Sequence, residues 1–126
     1  MIGQRIRVWL TPAVFLHLLL TFIMAWWCFI LALPGSTFST SPAYAGFARI
    51  MSEDWWAFAT GCVAALGLCG LRWRRVRASS EIALSIAHGL ISMTVVASVP
   101  LSTATGVYAA LMVSAWYLIW WNRNDV

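Results

Sequence analysis

The residues best suited to chemistry are two histidines and a row of polar side chains around one of them. Glu81, Ser85, His88 and Ser92 follow at steps of four, three and four, which places them on one face of a helix. His17 lies in an earlier apolar segment, at a similar predicted depth. Two imidazoles at one depth could ligate a haem iron, bind a metal or relay protons.

A structural role for the same histidines is the favoured interpretation. A neutral imidazole between helices can bond to a serine or to a backbone carbonyl, and the chain has no second histidine pair for a larger cofactor set. We therefore predict no bound cofactor or metal, and keep a haem held by His17 and His88 as the alternative. The four acids all fall at predicted membrane edges: Glu53, Asp54, Glu81 and Asp125.

No sequence motif indicates an enzyme. The chain has no glycine-rich phosphate loop after a strand, and its Ser, His and Asp residues suggest no nucleophilic set. Secondary transport is disfavoured as well, because no acid is predicted in mid-membrane for ion coupling. We expect a protein without catalytic activity.

Four long apolar segments carry these residues. The chain has 126 residues, of which 62% are hydrophobic and only 10% charged, whereas soluble domains have about 45–50% and about 25%. A membrane helix needs about 20 apolar residues to cross the bilayer core. The sequence predicts one all-α domain of four transmembrane helices, over residues 13–33, 55–71, 82–101 and 104–121. The third is predicted to start at a serine cap, Ser79-Ser80-Glu81.

Arginine positions predict the orientation. Short arginine-rich segments are retained in the cytoplasm, and of the arginines only Arg49 falls on the opposite side of the predicted spans. Both termini are therefore expected in the cytoplasm of a bacterium, with the protein in its inner membrane. A short predicted loop between two membrane helices suits anionic lipid headgroups better than nucleic acid. That loop contains Arg72, Arg74, Arg75 and Arg77; Arg5, Arg7 and Arg123 share its side.

The connection between the first and second spans is the only long one. Ser41-Pro42 indicates a helix start, and Tyr44, Phe47 and Ile50 then recur at helical spacing. This pattern predicts a short amphipathic helix. It would lie in the outer membrane interface or fold over the bundle as a lid, and both arrangements need the same apolar stripe.

The second span contains a stripe of small residues that favours close helix packing. Ala57, Gly61, Ala65 and Cys69 occupy every fourth position, and Gly67 and Gly70 lie on a neighbouring face. Such stripes let two membrane helices approach closely. The partner helix would belong either to the same subunit or to a second copy in an oligomer.

The order of features resembles a loose group of small four-span proteins encoded in tailed-phage and prophage genomes. The resemblance rests on Ser41-Pro42-Ala43-Tyr44, on Trp55-Trp56 before a glycine-rich span, on the arginine loop, and on Tyr108 with Trp116. It implies a context in which such proteins act as holins, as superinfection-exclusion factors or as modifiers of host membrane complexes. It implies no site residues.

Two functions follow as hypotheses. The first is a holin-like, tryptophan-rich protein that oligomerises in the inner membrane and permeabilises it, with the stripes of spans two and three as working surfaces. The alternative is a non-catalytic membrane partner that binds another integral membrane protein through spans two and three, as an exclusion factor or as an accessory subunit of a larger complex. A holin should depolarise cells when expressed alone, whereas a partner protein should not.

Overall fold

The fold is an all-α bundle, as predicted. The computed structural model describes residues 11–98 and 103–124, and within these ranges it contains helices and no strands. Four of the helices are long and apolar enough to cross a membrane. Arg5, Arg7, Pro100 and Asp125 lie outside the described residues. The α-helices are α1 (Pro12–Ala32), α2 (Ala45–Ile50), α3 (Glu53–Arg72), α4 (Arg74–Ser98) and α5 (Thr103–Asn124).

The ends of α1 are set by local sequence. The Thr11 side chain accepts a hydrogen bond from the Val14 amide at 3.4 Å, and Pro12 occupies the first helical turn, where its missing N–H costs nothing. The helix ends before Pro34-Gly35, and Gly35 has a φ of 131°, which only glycine adopts readily. The helix bounds, Pro12–Ala32, differ by one residue at each end from the predicted span over residues 13–33.

The predicted loop between the second and third spans is wrong. α4 begins at Arg74, so Trp73 alone separates it from α3. Ser80 does not cap a helix; its hydroxyl donates to the Arg77 carbonyl at 2.7 Å, as a serine inside a helix does. The helix starts as early as Arg74 because arginine and alanine are good helix formers, and because no Gly or Pro interrupts the chain between Arg74 and Gly89.

The four long helices form a ring in which neighbours along the chain are antiparallel. α1 packs on α3 and α5, and α4 packs on the same two helices. His17, near the start of α1, contacts Gly67 near the end of α3 and Glu81 near the start of α4. The arginines at the junction of α3 and α4 therefore share one end of the bundle with the start of α1, while Arg49 lies towards the other. That the arginine end faces the cytoplasm stays a prediction.

The short helix α2 covers the other end of the bundle. Its Phe47 is fully buried. The centroid of the Phe47 ring lies 5.3 Å from the ring centroid of Trp27 and 5.2 Å from that of Trp56. The Trp56 indole donates a hydrogen bond to the Phe47 carbonyl at 3.0 Å, and Arg49 is exposed. The predicted helix is present, and these contacts favour the lid arrangement because its aromatic face packs on α1 and α3.

Candidate functional site

The most polar part of the interior lies where α1, α3 and α4 meet, and His17 is its centre. This side chain is buried, and its Nε2 lies 2.9 Å from the Gly67 carbonyl of α3. A carbonyl can only accept, so Nε2 carries the hydrogen and donates it. The bond depends on the absence of a side chain at Gly67, since a Cβ atom there would overlap Thr21.

Glu81 faces the other nitrogen of the same ring. Its Oε1 lies 3.6 Å from His17 Nδ1, and the two side chains are 4% and 3% exposed. Glu81 lies about two turns into α4, which begins at Arg74. That this acid lies at a membrane edge stays a prediction. The carboxyl group of Glu81 therefore contacts a buried histidine, a contact that depends on how α1 and α4 pack together.

His88 occupies the interface between α4 and α1. It is fully buried, its Nε2 donates to the Leu20 carbonyl at 3.2 Å, and its Nδ1 has no hydrogen-bond partner. His17 thus joins α1 to α3, whereas His88 joins α4 to α1. Hydrogen bonds to backbone carbonyls account for both Nε2 atoms, so a haem iron or metal bound through Nε2 would have to displace them. Within the described residues no group of three His, Cys, Asp or Glu side chains could hold a metal ion.

The rest of the polar stripe also faces inward. Ser85 and Ser92 are buried, and the Ser92 hydroxyl donates to the Tyr108 carbonyl of α5 at 2.6 Å. The Tyr108 hydroxyl in turn accepts a hydrogen bond from the Trp27 indole at 3.0 Å. Sequence reasoning missed this α1–α5 link, because the partners are 81 positions apart and neither belongs to a periodic pattern. The stripe therefore connects α4 to its neighbours and does not face the surroundings.

We expect Tyr108→Phe to destabilise the bundle by about 0.5–1.5 kcal/mol. The substitution keeps the ring but removes the oxygen that accepts the Trp27 N–H, which is then left unsatisfied in a half-buried position. The measurement is reversible unfolding in bicelles. Tyr117→Phe is the matched control, since Tyr117 is 44% exposed on the same helix; equal losses for the two variants would contradict the prediction.

The predicted small-residue stripe of α3 is divided between interior and surface. Ala57 is buried, Cys69 is half-buried and Ala65 is exposed. A Cβ at Gly61 would lie 3.0 Å from the Cys28 sulfur of α1, so this glycine serves packing inside the subunit. The glycines of α3 that lie closest to other side chains are on the neighbouring face, where a Cβ at Gly67 or Gly70 would overlap another side chain. Those two contacts are Gly67 against Thr21 and Gly70 against Ser80.

One residue of the arginine cluster has a structural contact. Arg77 is half-buried, and its Nε donates to the Gly70 carbonyl at 3.3 Å. This carbonyl lies in the last turn of α3, where helix carbonyls lack intrahelical partners. Arg77 therefore ties the start of α4 to the end of α3. Arg72, Arg74 and Arg75 are exposed, which leaves them available for the predicted headgroup contacts.

Comparisons with known proteins assign no function to the polar interior where α1, α3 and α4 meet. No protein-family model, curated protein or solved structure matches the chain. Function therefore has to be argued from the geometry of the bundle.

Proposed function

We propose that this protein is a non-catalytic membrane partner, a four-helix bundle that acts by binding another integral membrane protein. One observation carries the proposal: the polar stripe of α4 is enclosed within a single subunit. Glu81, Ser85, His88 and Ser92 are each at most 7% exposed. The resemblance to small phage and prophage proteins points to the setting, either superinfection exclusion or an accessory subunit of a membrane complex.

The enclosed stripe makes a partner protein a better proposal than a holin-like one. A lesion filled with water needs polar side chains on its lining surface. The large side chains that the described helices expose include Phe22 at 61%, Met93 at 70% and Trp116 at 64%, all of them apolar in bulk and suited to lipid or to another helix. A holin-like role would require the bundle to open so that α4 turns its polar face to water.

The outward face of α5 is the surface we propose for the partner. α5 has the smallest buried share of the four spans. Gly106 and Ala110 are exposed one turn apart, and a Cβ at Gly106 would meet nothing within 4 Å. Small residues at this spacing allow a second helix to approach closely. Unlike Gly61 and Gly67, this pair is not used by the subunit's own packing.

The test begins with expression of the protein alone in a Gram-negative host, with membrane potential followed by a voltage-sensitive dye. The proposal expects a stable potential and normal growth, with an integral membrane protein co-purifying in stoichiometric amount. Abrupt depolarisation after a delay would contradict it and favour the holin-like alternative. A stable potential with no co-purifying membrane protein in any susceptible host would also contradict it.

Gly106→Leu should reduce partner co-purification at least tenfold without harming the fold. The new side chain enters open space in the subunit, but it fills the groove that a second helix would occupy. Val107→Leu is the matched control, because Val107 is 53% exposed and lies beside the groove on the same helix. The measurement is the amount of partner recovered in a quantitative pull-down with each variant, and thermal unfolding checks that each variant is folded. Equal binding by the two variants would exclude the α5 face.

A further inference from the structure

A cavity of about 130 Å³ lies at the end of the bundle that α2 covers, and it is only partly enclosed. Its walls come from the second half of α1, from Tyr108 on α5, and from Thr37 and Tyr44 in the connection between α1 and α2. An apolar protein cavity of about 150 Å³ can hold a benzene molecule. The space therefore admits a compact organic group and not merely a water molecule.

Aromatic rings form much of the cavity wall. Trp27 lines it together with Trp26, Tyr44 and Tyr108. The plane of the Trp27 ring makes an angle of 81° with that of Tyr44 and 71° with that of Tyr108, at centroid distances of 6.4 and 6.1 Å. The Trp27 indole donates a hydrogen bond to the Tyr108 hydroxyl, which holds these two rings in place. Rings at such angles can surround a small group from more than one side.

The charges around the cavity favour a cation as its ligand. The face of an aromatic ring carries partial negative charge, so a group of rings attracts cations. Among the described residues that line the cavity none is charged, but a carboxylate lies directly behind its wall, where Glu53 accepts a hydrogen bond from the Thr37 amide at 2.8 Å. Arg49, towards the same end of the bundle, is exposed and does not line the cavity.

We propose that this cavity binds an organic ammonium group, with the rings of Trp27, Tyr44 and Tyr108 as an aromatic cage around it. Quaternary ammonium groups are the ligands that such cages take in other proteins. Phospholipid headgroups carry ammonium groups, and the cavity lies where α1, a helix long enough to cross a membrane, comes to its end. The site is separate from the outward face of α5 and does not depend on the partner-binding role.

An uncharged apolar group is the main competing ligand. Ile30 and Leu31 also line the cavity, and they would contact a hydrocarbon group as readily as the methyl groups of a trimethylammonium. Charge separates the two possibilities. A neutral molecule of the same shape gains the same burial of apolar surface, but it gains no attraction to the ring faces or to Glu53.

The experiment is carbon-13 NMR of protein with ring-labelled tyrosine in nanodiscs of phosphatidylglycerol, a lipid without an ammonium group. The chain contains three tyrosines. Tyr44 and Tyr108 line the cavity, whereas Tyr117 is 44% exposed and does not line it. Choline should shift the signals of the first two in a saturable manner and leave that of Tyr117 unchanged.

The neutral isostere of choline, in which a tert-butyl group replaces the trimethylammonium, should bind about tenfold or more weakly because it lacks the charge. Equal binding of choline and the isostere would overturn the proposal, and so would the absence of any shift at Tyr44 and Tyr108 with choline. This comparison uses the wild-type chain, so it decides the proposal even where a variant fails to fold.

Two substitutions at Tyr44 separate the contribution of its ring from that of its hydroxyl, with binding followed at Tyr108. Tyr44→Phe keeps the ring face and should change the dissociation constant for choline by less than about threefold, whereas Tyr44→Leu should weaken binding by about tenfold. Tyr117→Leu is the matched control and should bind choline as the wild type does. Equal affinities of Tyr44→Phe and Tyr44→Leu would contradict a cage built from ring faces.

A second lipid identifies the source of the ammonium group. In phosphatidylcholine nanodiscs, a lipid headgroup in the cavity would place the Tyr44 and Tyr108 signals at their choline-bound positions before choline is added. Signals that start at the unbound positions and still shift with choline would identify a soluble ammonium compound as the ligand. Either result supports the site.

Discussion

His17→Leu should lower the free energy of unfolding of the bundle by about 1–3 kcal/mol, the usual cost when a buried hydrogen-bonding group loses its partner. Leucine fills a similar space but cannot donate to the Gly67 carbonyl, and it places an apolar side chain against the Glu81 carboxylate. The change therefore leaves the Gly67 carbonyl without its side-chain donor and removes the contact between His17 and Glu81. The measurement is reversible unfolding in bicelles by steric trapping.

The double variant His17→Leu/Glu81→Leu measures how much of this loss comes from the contact between the two side chains. Side chains in contact have losses that do not add, whereas independent side chains have losses that do. We expect the double variant to lose less stability than the sum of the losses in His17→Leu and Glu81→Leu. A loss equal to that sum would show that the contact does not contribute to stability.

Gly67→Ala should destabilise the bundle by about 1–3 kcal/mol, the typical cost of overpacking a tight interior. The new Cβ would overlap Thr21 Oγ1 and lie 2.8 Å from its Cγ2 and 3.1 Å from its Cβ. Rotation of Thr21 cannot clear all three atoms, so α1 and α3 must separate. Separation also lengthens the bond from His17 to the Gly67 carbonyl, so the loss includes part of a buried hydrogen bond.

Two further variants test the Gly67→Ala explanation. Gly61→Ala, on the same helix, brings its Cβ to 3.0 Å from the Cys28 sulfur alone, and a shift of a few tenths of an ångström relieves that contact. It should therefore cost less than Gly67→Ala. Thr21→Ala should rescue Gly67→Ala in part, because it removes the two γ atoms that the new Cβ meets. Equal effects at the two glycines, with no rescue, would contradict the packing argument.

Much of the fold could be predicted from local sequence, because a bilayer requires long apolar helices whose backbone groups bond internally. Pro12 and Pro34-Gly35 mark the ends of α1 by their backbone geometry, and neither depends on distant residues. The prediction of a loop at the arginine segment is wrong, because it treats charge as a break between membrane spans. Arginine is a good helix former, and charge alone does not end a helix.

The candidate site could be predicted only in part. The helical spacing of Glu81, Ser85, His88 and Ser92 identified one polar face, and the four residues are indeed buried together on α4. The spacing could not say whether that face meets water, lipid or other helices. Nor could it reveal that Glu81 faces His17, since the two lie on helices that are not neighbours along the chain.

The sequence by itself determined that the chain forms four membrane-length helices, where the first one begins and ends, and that the four arginines from Arg72 to Arg77 lie together. These properties depend on composition and on intervals of a few residues, which act within a single helix. Only the tertiary structure decided which glycine allows α1 and α3 to touch, that α2 covers the bundle, and that an acid and an imidazole share a buried contact. Those outcomes depend on how helices rotate about their axes when they pack, which is set by all the facing side chains together.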